Sequence, residues 1–242
     1  MINILKKIIY TGIVTENYDD GQPPARFRGE VVIHNKFCKD CRVCAAVCPT
    51  KAIKIIGDEM RVYHKACIFC GRCVQHCELK QIEHTGRYKL ATMPDSEAEN
   101  TGKLLKERIK SIFDRSLHIR HVDAGSCNAC DFEMSALTNP IYDVQQYGID
   151  FVASPRHADM LMVTGVVTRN LTQALLMTYA AVPAPKLVMA VGACAASGQV
   201  LGSLYAVRGA VDEFVPVDIY VPGCPPRPQA LLYGLLTAMN KL

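Results

Sequence analysis

The 242-residue sequence has no tryptophan, and none of its apolar runs approaches the 18 or so residues that cross a bilayer. The second absence predicts a chain that is soluble or peripheral to a membrane. The N-terminus lacks an apolar h-region followed by a small-residue cleavage site, which argues against secretion and a scaffold built on disulfides. A full G-x-G-x-x-G fingerprint with its ribose-binding acid is also missing. Gly192, Gly198 and Gly202 match a phosphate loop only loosely, so no nucleotide is predicted. No basic stretch is interleaved with stacking aromatics, which argues against nucleic acid. Half the residues are apolar, enough for a real core in one or two domains.

What the chain has in quantity is cysteine, twelve in all. Eight fall between residues 38 and 77 as Cys38-x2-Cys41-x2-Cys44-x3-Cys48-Pro49 and Cys67-x2-Cys70-x2-Cys73-x3-Cys77-Glu78. This doubled spacing is that of bacterial two-cluster ferredoxins. In that pattern three closely spaced thiolates hold one [4Fe–4S] cube and the trailing cysteine crosses to the other. The implied sets are Cys38, Cys41, Cys44 and Cys77 for one cluster, and Cys48, Cys67, Cys70 and Cys73 for the second. Zinc is the competing metal, but it uses paired CxxC units and leaves the third cysteine at the same step unexplained. Glu78 stands where the first run has Pro49; that residue ligates nothing, so only a local change is expected.

Charge is unevenly spread. Residues 1–95 carry 15 Lys/Arg against 10 Asp/Glu, residues 96–118 carry 5 against 4, and residues 119–242 carry 7 against 9. A basic cluster-bearing half suits an anionic protein face or lipid headgroups. Residues 1–10 place Ile2, Leu5, Ile8 and Ile9 on one side of a helix and Lys6 and Lys7 opposite. Such a helix can lie on a surface, or it can dock on its own domain. Thr11 to Gly29 reads as an extended connection, Arg28 to Ile33 as a strand, and Lys51–Ile56 and Met60–Tyr63 as a hairpin around Gly57-Asp58.

A polar, turn-rich stretch from Met93 to Gly102 marks the expected boundary. It divides a two-cluster domain (1–95) from a linker with an amphipathic helix (96–118) and a second domain (119–242). The linker helix carries Leu104, Leu105, Ile109, Ile112 and Phe113 on its apolar stripe. Beyond it, strands are predicted at Leu117–Val122, Ile149–Ala153, Met160–Thr164, Leu187–Val191 and Ile219–Val221. Helices are predicted near 131–138, 168–181 and 226–240. The expected class is therefore an α+β two-cluster ferredoxin-like domain followed by a doubly wound, flavodoxin-like α/β domain with a parallel sheet. Chemistry in such a sheet belongs in the loops beyond the carboxyl ends of the strands.

The remaining four cysteines fall in such loops, as Cys127-Asn-Ala-Cys130, Gly192-Ala-Cys194 and Gly223-Cys224-Pro225-Pro226. Converging at one sheet edge, they would hold a third [4Fe–4S] cluster. Cys127 and Cys130 could alone be a redox pair, but Cys194 and Cys224 would then have no role.

CNACDFE, SPRHADMLMVTG, VGACAASG and VPGCPPRP resemble the small subunit of membrane-bound, energy-converting [NiFe] hydrogenases, formate hydrogenlyase among them. They are similar, more distantly, to the complex I subunit that carries the terminal iron–sulfur cluster. The likeness spans about residues 104–242, while the paired cysteine runs resemble the separate two-cluster ferredoxin-type subunit of the same complexes. Adjacent cysteines are typical of the complex I subunit; here two residues separate Cys127 from Cys130, as in the hydrogenases.

The resemblance implies an electron-transfer subunit, not active alone, that passes electrons through three [4Fe–4S] clusters. The receiver would be a nickel–iron centre in a partner large subunit that reduces protons to H2. Other hydrophilic and membrane-embedded subunits and an electron-donor protein are implied partners, on the cytoplasmic side of the membrane. The alternative is the equivalent subunit of a complex I-like oxidoreductase that reduces quinone, polysulfide or another acceptor. An independent ferredoxin-like carrier and a zinc-binding adaptor are the other classes open to such a sequence. By resemblance Glu133 lies near the subunit boundary, where it could transfer protons; an acid favoured with Asp131 at a helix N-terminus is the other reading. Arg156 and His157 would face the large subunit or form an ordinary polar loop. His34, His64, His76 and His118 are expected to be satisfied groups rather than ligands.

Overall fold

The computed structural model describes residues 2–16, 23–34, 43–57, 59–94 and 116–239. Its first element is helix α1 (Ile2–Thr11), which ends at Gly12, whose left-handed φ of 60° suits a residue without Cβ. The chain after it is pinned to the second half of the molecule, where Glu16 N–H donates to Ile141 O (2.7 Å) and Thr15 Oγ1 to Pro140 O (3.0 Å).

The cysteine-rich region has little regular structure and a small core. Strand β1 (Val31–Ile33) pairs antiparallel with β4 (Ile82–His84), and β2 (Ile53–Ile56) pairs with β3 (Glu59–Val62) around Gly57. The short helices α2 (Val43–Ala46) and α3 (Arg72–Gln75) each carry the third cysteine of a run. Val31, Ile53, Met60 and Ile82 close the interior together with Cys44 and Cys73. The internal repeat survives in the backbone. Lys51 N–H donates to Cys48 O and Lys80 N–H to Cys77 O, both lysines have a φ just above 50°, and the next N–H in each copy donates to the cysteine sulfur. Glu78 in place of Pro49 leaves this turn intact.

From residue 117 the strands run as apolar blocks covered on both faces. They are β5 (Leu117–Asp123), β6 (Ile149–Phe151), β7 (Met160–Thr164), β9 (Leu187–Val191) and β11 (Ile219–Val221); β8 (Val167–Thr168) and β10 (Val207–Gly209) form a separate small ribbon. All the main-sheet pairings are parallel, in the order β11–β9–β7–β5–β6. In chain order that is the flavodoxin-like 2-1-3-4-5 arrangement, whose direction switches between β5 and β7. Met160, Met162, Met189 and Val221 face α4 (Ala129–Ala136) and α7 (Pro228–Ala238). Leu161, Val163, Val188 and Ala190 face α5 (Arg169–Ala181) and α6 (Gly192–Ser197).

The strands at 160–164, 187–191 and 219–221 match the sequence reading, while β5 runs one residue further and β6 stops two earlier. Helix α4 starts at Ala129 rather than 131. Helix α6 and the β8–β10 ribbon were not expected: VGACAAS is too short and too uniformly small to show a 3.6-residue stripe. The boundary after residue 95 and the helix expected over 104–113 lie outside the described residues.

The two halves are bonded together. Thr92 and Tyr220 exchange backbone hydrogen bonds of 2.8 and 3.0 Å, which adds one residue to the β11 edge. The Lys65 ammonium sits 3.5 Å over the Tyr220 ring. Tyr88, although in the first half of the sequence, is buried in the core of the second.

Candidate iron–sulfur sites

Cys67, Cys70 and Cys73 line one cavity with Cys48, under walls from Val31, Ile53 and Val62. Burial pushes the Cys67 thiol up to about 12, a donated Phe69 N–H pulls it back, and Cys73, Cys48 and Cys70 push it further. Cys73 is raised by the same burial and by Cys70 and Cys48. Thiols that suppress one another's ionisation in a dry pocket call for a positive centre among them, which thiolate-bound iron supplies. Two N–H groups already point at sulfur, Ala52 to Cys48 (3.2 Å) and Phe69 to Cys67 (3.4 Å). Such donors stabilise a thiolate.

The other ferredoxin-type set is seen in part. Cys44 is buried with its Sγ 3.5 Å from Met60 Sδ, and Cys77 Sγ accepts from Gln81 N–H at 3.3 Å. Cys38 and Cys41 lie outside the described residues.

The third group is assembled by sheet topology. Cys127 and Cys130 follow β5, Cys194 lies in the first turn after β9, and Cys224 follows β11, all at carboxyl ends of parallel strands. Burial pushes Cys130 up to about 12, with Cys194 and Cys224 the largest charge contributions. Cys194 is pushed up to about 11 by burial and by Cys224 and Cys127, and Cys224 is raised by burial and Cys127. The four sulfurs thus share one electrostatic environment. Among the described residues, no three Cys, His, Asp or Glu side chains close on a single metal ion. Four thiols from three loops that share one environment are the donor set that a [4Fe–4S] cube takes.

Backbone approach is close around this group. A Cβ on Gly192 (φ 84°) would lie 2.6 Å from Cys130 Sγ, and one on Gly165 would lie 2.3 Å from Ser126 N. Only glycine lets the β9 loop pass that sulfur, and only glycine lets the loops after β5 and β7 touch. Asp123 Oδ1 accepts from Gly125 and Ser126 N–H at 2.7 and 2.6 Å, and so fixes the turn into Cys127. Asp131 accepts from the Thr164 hydroxyl (2.7 Å) and the Ser126 hydroxyl, and pairs with His121 (2.9 Å). The sequence reading treated Asp131 only as a helix-terminal acid. Its tether to β5 and β7 depends on long-range register, for which the sequence carries no signal.

Glu133 is half-buried one turn past Cys130; burial raises its carboxyl and Arg227 partly offsets this. Arg156 and His157 form an exposed turn after β6. His34 pairs with Glu83, His64 contacts Val31 O, His76 contacts Arg72 O and His118 pairs with Asp159, all at 2.9–3.2 Å.

A family model described as "NADH ubiquinone oxidoreductase, 20 Kd subunit" matches residues 127–238, and one described as "4Fe-4S dicluster domain" matches residues 30–78. The chain is 43% identical over 148 residues to the probable membrane-bound hydrogenase subunit mbhJ of Pyrococcus furiosus, covering 61% of this chain and 88% of that protein. Formate hydrogenlyase subunit 7 of Escherichia coli is 44% identical over 62% of this chain and 57% of its own length. An NADH-quinone oxidoreductase subunit of Citrifermentans bemidjiense is 47% identical over 47% of this chain and 66% of its own length. Among solved structures, a chain of an archaeal membrane-bound sulfane sulfur reductase aligns at 32% identity with a TM-score of 0.48, over 56% of this chain and 74% of that one. The chain belongs to the family of these membrane-bound hydrogenase and NADH–quinone oxidoreductase subunits, with a 4Fe-4S dicluster domain ahead of the family's shared domain.

Proposed function

We propose that this chain is the electron-relay subunit of a membrane-associated [NiFe] hydrogenase complex and carries three [4Fe–4S] clusters. Cys38, Cys41, Cys44 and Cys77 would hold the first, Cys48, Cys67, Cys70 and Cys73 the second, and Cys127, Cys130, Cys194 and Cys224 the third. When bound, each supplies a one-electron carrier whose potential follows burial, local charge and hydrogen bonds to sulfur.

The observation that carries the reading is the gap between the second and third cysteine groups. A cavity of about 210 Å³ separates them, and its walls include Ile68 and Phe69 from one cysteine loop and Gly223, Cys224 and Pro225 from the other. Its lining mixes Phe27, Tyr88 and Leu90 with Arg28, Arg87 and Arg227, and the Lys65–Tyr220 contact and the Thr92–Tyr220 bonds fix the loops relative to each other. The Cys67–Cys73 run is thus the neighbour of the third group and would be its donor, and the cluster of Cys38, Cys41, Cys44 and Cys77 would take electrons from an outside donor. Cys127 and Cys224 are exposed, and Phe132, two residues after Cys130, is 76% exposed. An incomplete apolar rim around thiols suits cover by a partner large subunit. Glu133 is on that helix, where a half-buried carboxyl held above its usual range could transfer protons.

The test is anaerobic purification of the whole complex, with nickel analysis and H2 evolution from a reduced dye. Nickel with H2 evolution supports the reading. Quinone or polysulfide reduction without nickel would replace it with the complex I-like alternative, which the likeness to the Citrifermentans bemidjiense NADH-quinone oxidoreductase chain favours. The chain alone should evolve no H2.

A further inference from the structure

Helix α1 has a sharply two-sided surface, and none of the described residues covers it. Every described side chain from Asn3 to Thr11 is exposed. At 100° per residue, Ile4, Leu5, Ile8 and Ile9 share one face while Asn3, Lys6, Lys7 and Thr11 share the other. The four aliphatic residues are 63%, 59%, 61% and 81% exposed, and Ile13 extends the apolar strip beyond the helix. Among the described residues α1 has no packing partner, which favours the surface option over docking on its own domain. The segment after it is nevertheless fixed, because Thr15 and Glu16 bond to Pro140 and Ile141 and Gln229 donates to Glu16. The helix therefore leaves the body at a defined point.

We infer that α1 is a membrane-surface anchor that lies in the headgroup layer of an anionic bilayer. Ten residues make a helix of about 15 Å, half the hydrocarbon thickness, so it must lie flat. Residues 1–15 contain Lys6 and Lys7 and no acid, which gives the polar face the charge that anionic headgroups attract. Its apolar face is purely aliphatic and only two turns long. Four such side chains fall well short of the roughly 800 Å² per partner that a stable interface between two copies needs, but they suit shallow burial among acyl chains. Attachment by so short a helix is weak alone and gains strength when membrane partners hold the complex at the same surface.

The full chain with its clusters reconstituted should co-float with phosphatidylcholine vesicles containing about one-third phosphatidylglycerol, less so in high salt, and scarcely with phosphatidylcholine alone. Ile8→Glu should bring flotation to background, and each of Lys6→Gln and Lys7→Gln should weaken binding about fivefold. Because the chain has no tryptophan, Ile9→Trp provides a single emission reporter. Its spectrum should shift to the blue when anionic vesicles are added. Iron content and visible absorbance, measured alongside, keep this test separate from that of the electron relay. Wild-type chain that ignores anionic vesicles, Ile8→Glu that floats as well as wild type, or a dimer that Ile8→Glu dissociates would each overturn the inference.

Discussion

The two halves of this chain gather thiols by opposite routes. In the first, three cysteines at a three-residue step lie on one short loop, and a fourth comes from a copy of the same loop a few tens of residues away. The fold around them needs only two small ribbons and a core of a few side chains. In the second, cysteines 97 residues apart (127 to 224) meet because a parallel sheet places the ends of β5, β9 and β11 along one edge. A site of the first kind depends on its own loops; one of the second kind depends on the whole sheet.

Single-cysteine variants should expose that difference most strongly. Cys224→Ser should take the purified chain from about twelve irons to about eight, leaving the ferredoxin-type pair and its EPR signals intact. Retention of all the iron would end the three-cluster assignment. Gly192→Ala tests the same site without touching a ligand. The new methyl must share space with Cys130 Sγ at 2.6 Å, and φ of 84° strains any L side chain by about 1 kcal/mol or more. We expect third-cluster occupancy to fall below half while the other two are retained, read as iron per chain and by EPR. Loss of all three together would mean that the halves fold as one unit.

The joint between the halves offers a smaller effect. Lys65 lies two residues before Cys67, and Tyr220 lies four before Cys224. Their cation–π contact should contribute about 0.5–2 kcal/mol. Lys65→Ala should therefore lower the unfolding midpoint modestly and slow re-oxidation of the second cluster by the third in rapid-mixing EPR, with all clusters present. An unchanged rate would show that the Thr92–Tyr220 backbone bonds alone set the spacing.

The same contrast explains what could be read in advance. The doubled cysteine step is itself the local geometry, so the ferredoxin-type region was legible from spacing. The buried strands were legible because a parallel strand covered on both faces is a plain apolar run, as in Met160–Thr164 and Leu187–Val191. The convergence of Cys127, Cys194 and Cys224 followed only once a strand order was assumed. The Asp131–Thr164–His121 network, the Gly192–Cys130 approach and the Lys65–Tyr220 joint were not legible. Each depends on register between elements that no local pattern encodes, and α6 was hidden by its small residues.

Glu133 gives the finest test, because it separates a site carboxyl from a merely structural one. Burial raises its folded pKa above the unfolded value of 4.5, with Arg227 opposing. Its contribution to stability is then fully present below 4.5 and is lost as pH rises through the folded value. Glu133→Gln cannot ionise and escapes that loss. The variant should melt level with wild type near pH 4.5 and slightly above it at neutral pH, with the gap opening as the pH climbs between. If Glu133 also moves protons at the subunit boundary, the same variant should turn over more slowly in the complex while its clusters and its melting are undiminished. Slow turnover with lowered melting would instead make Glu133 a packing group.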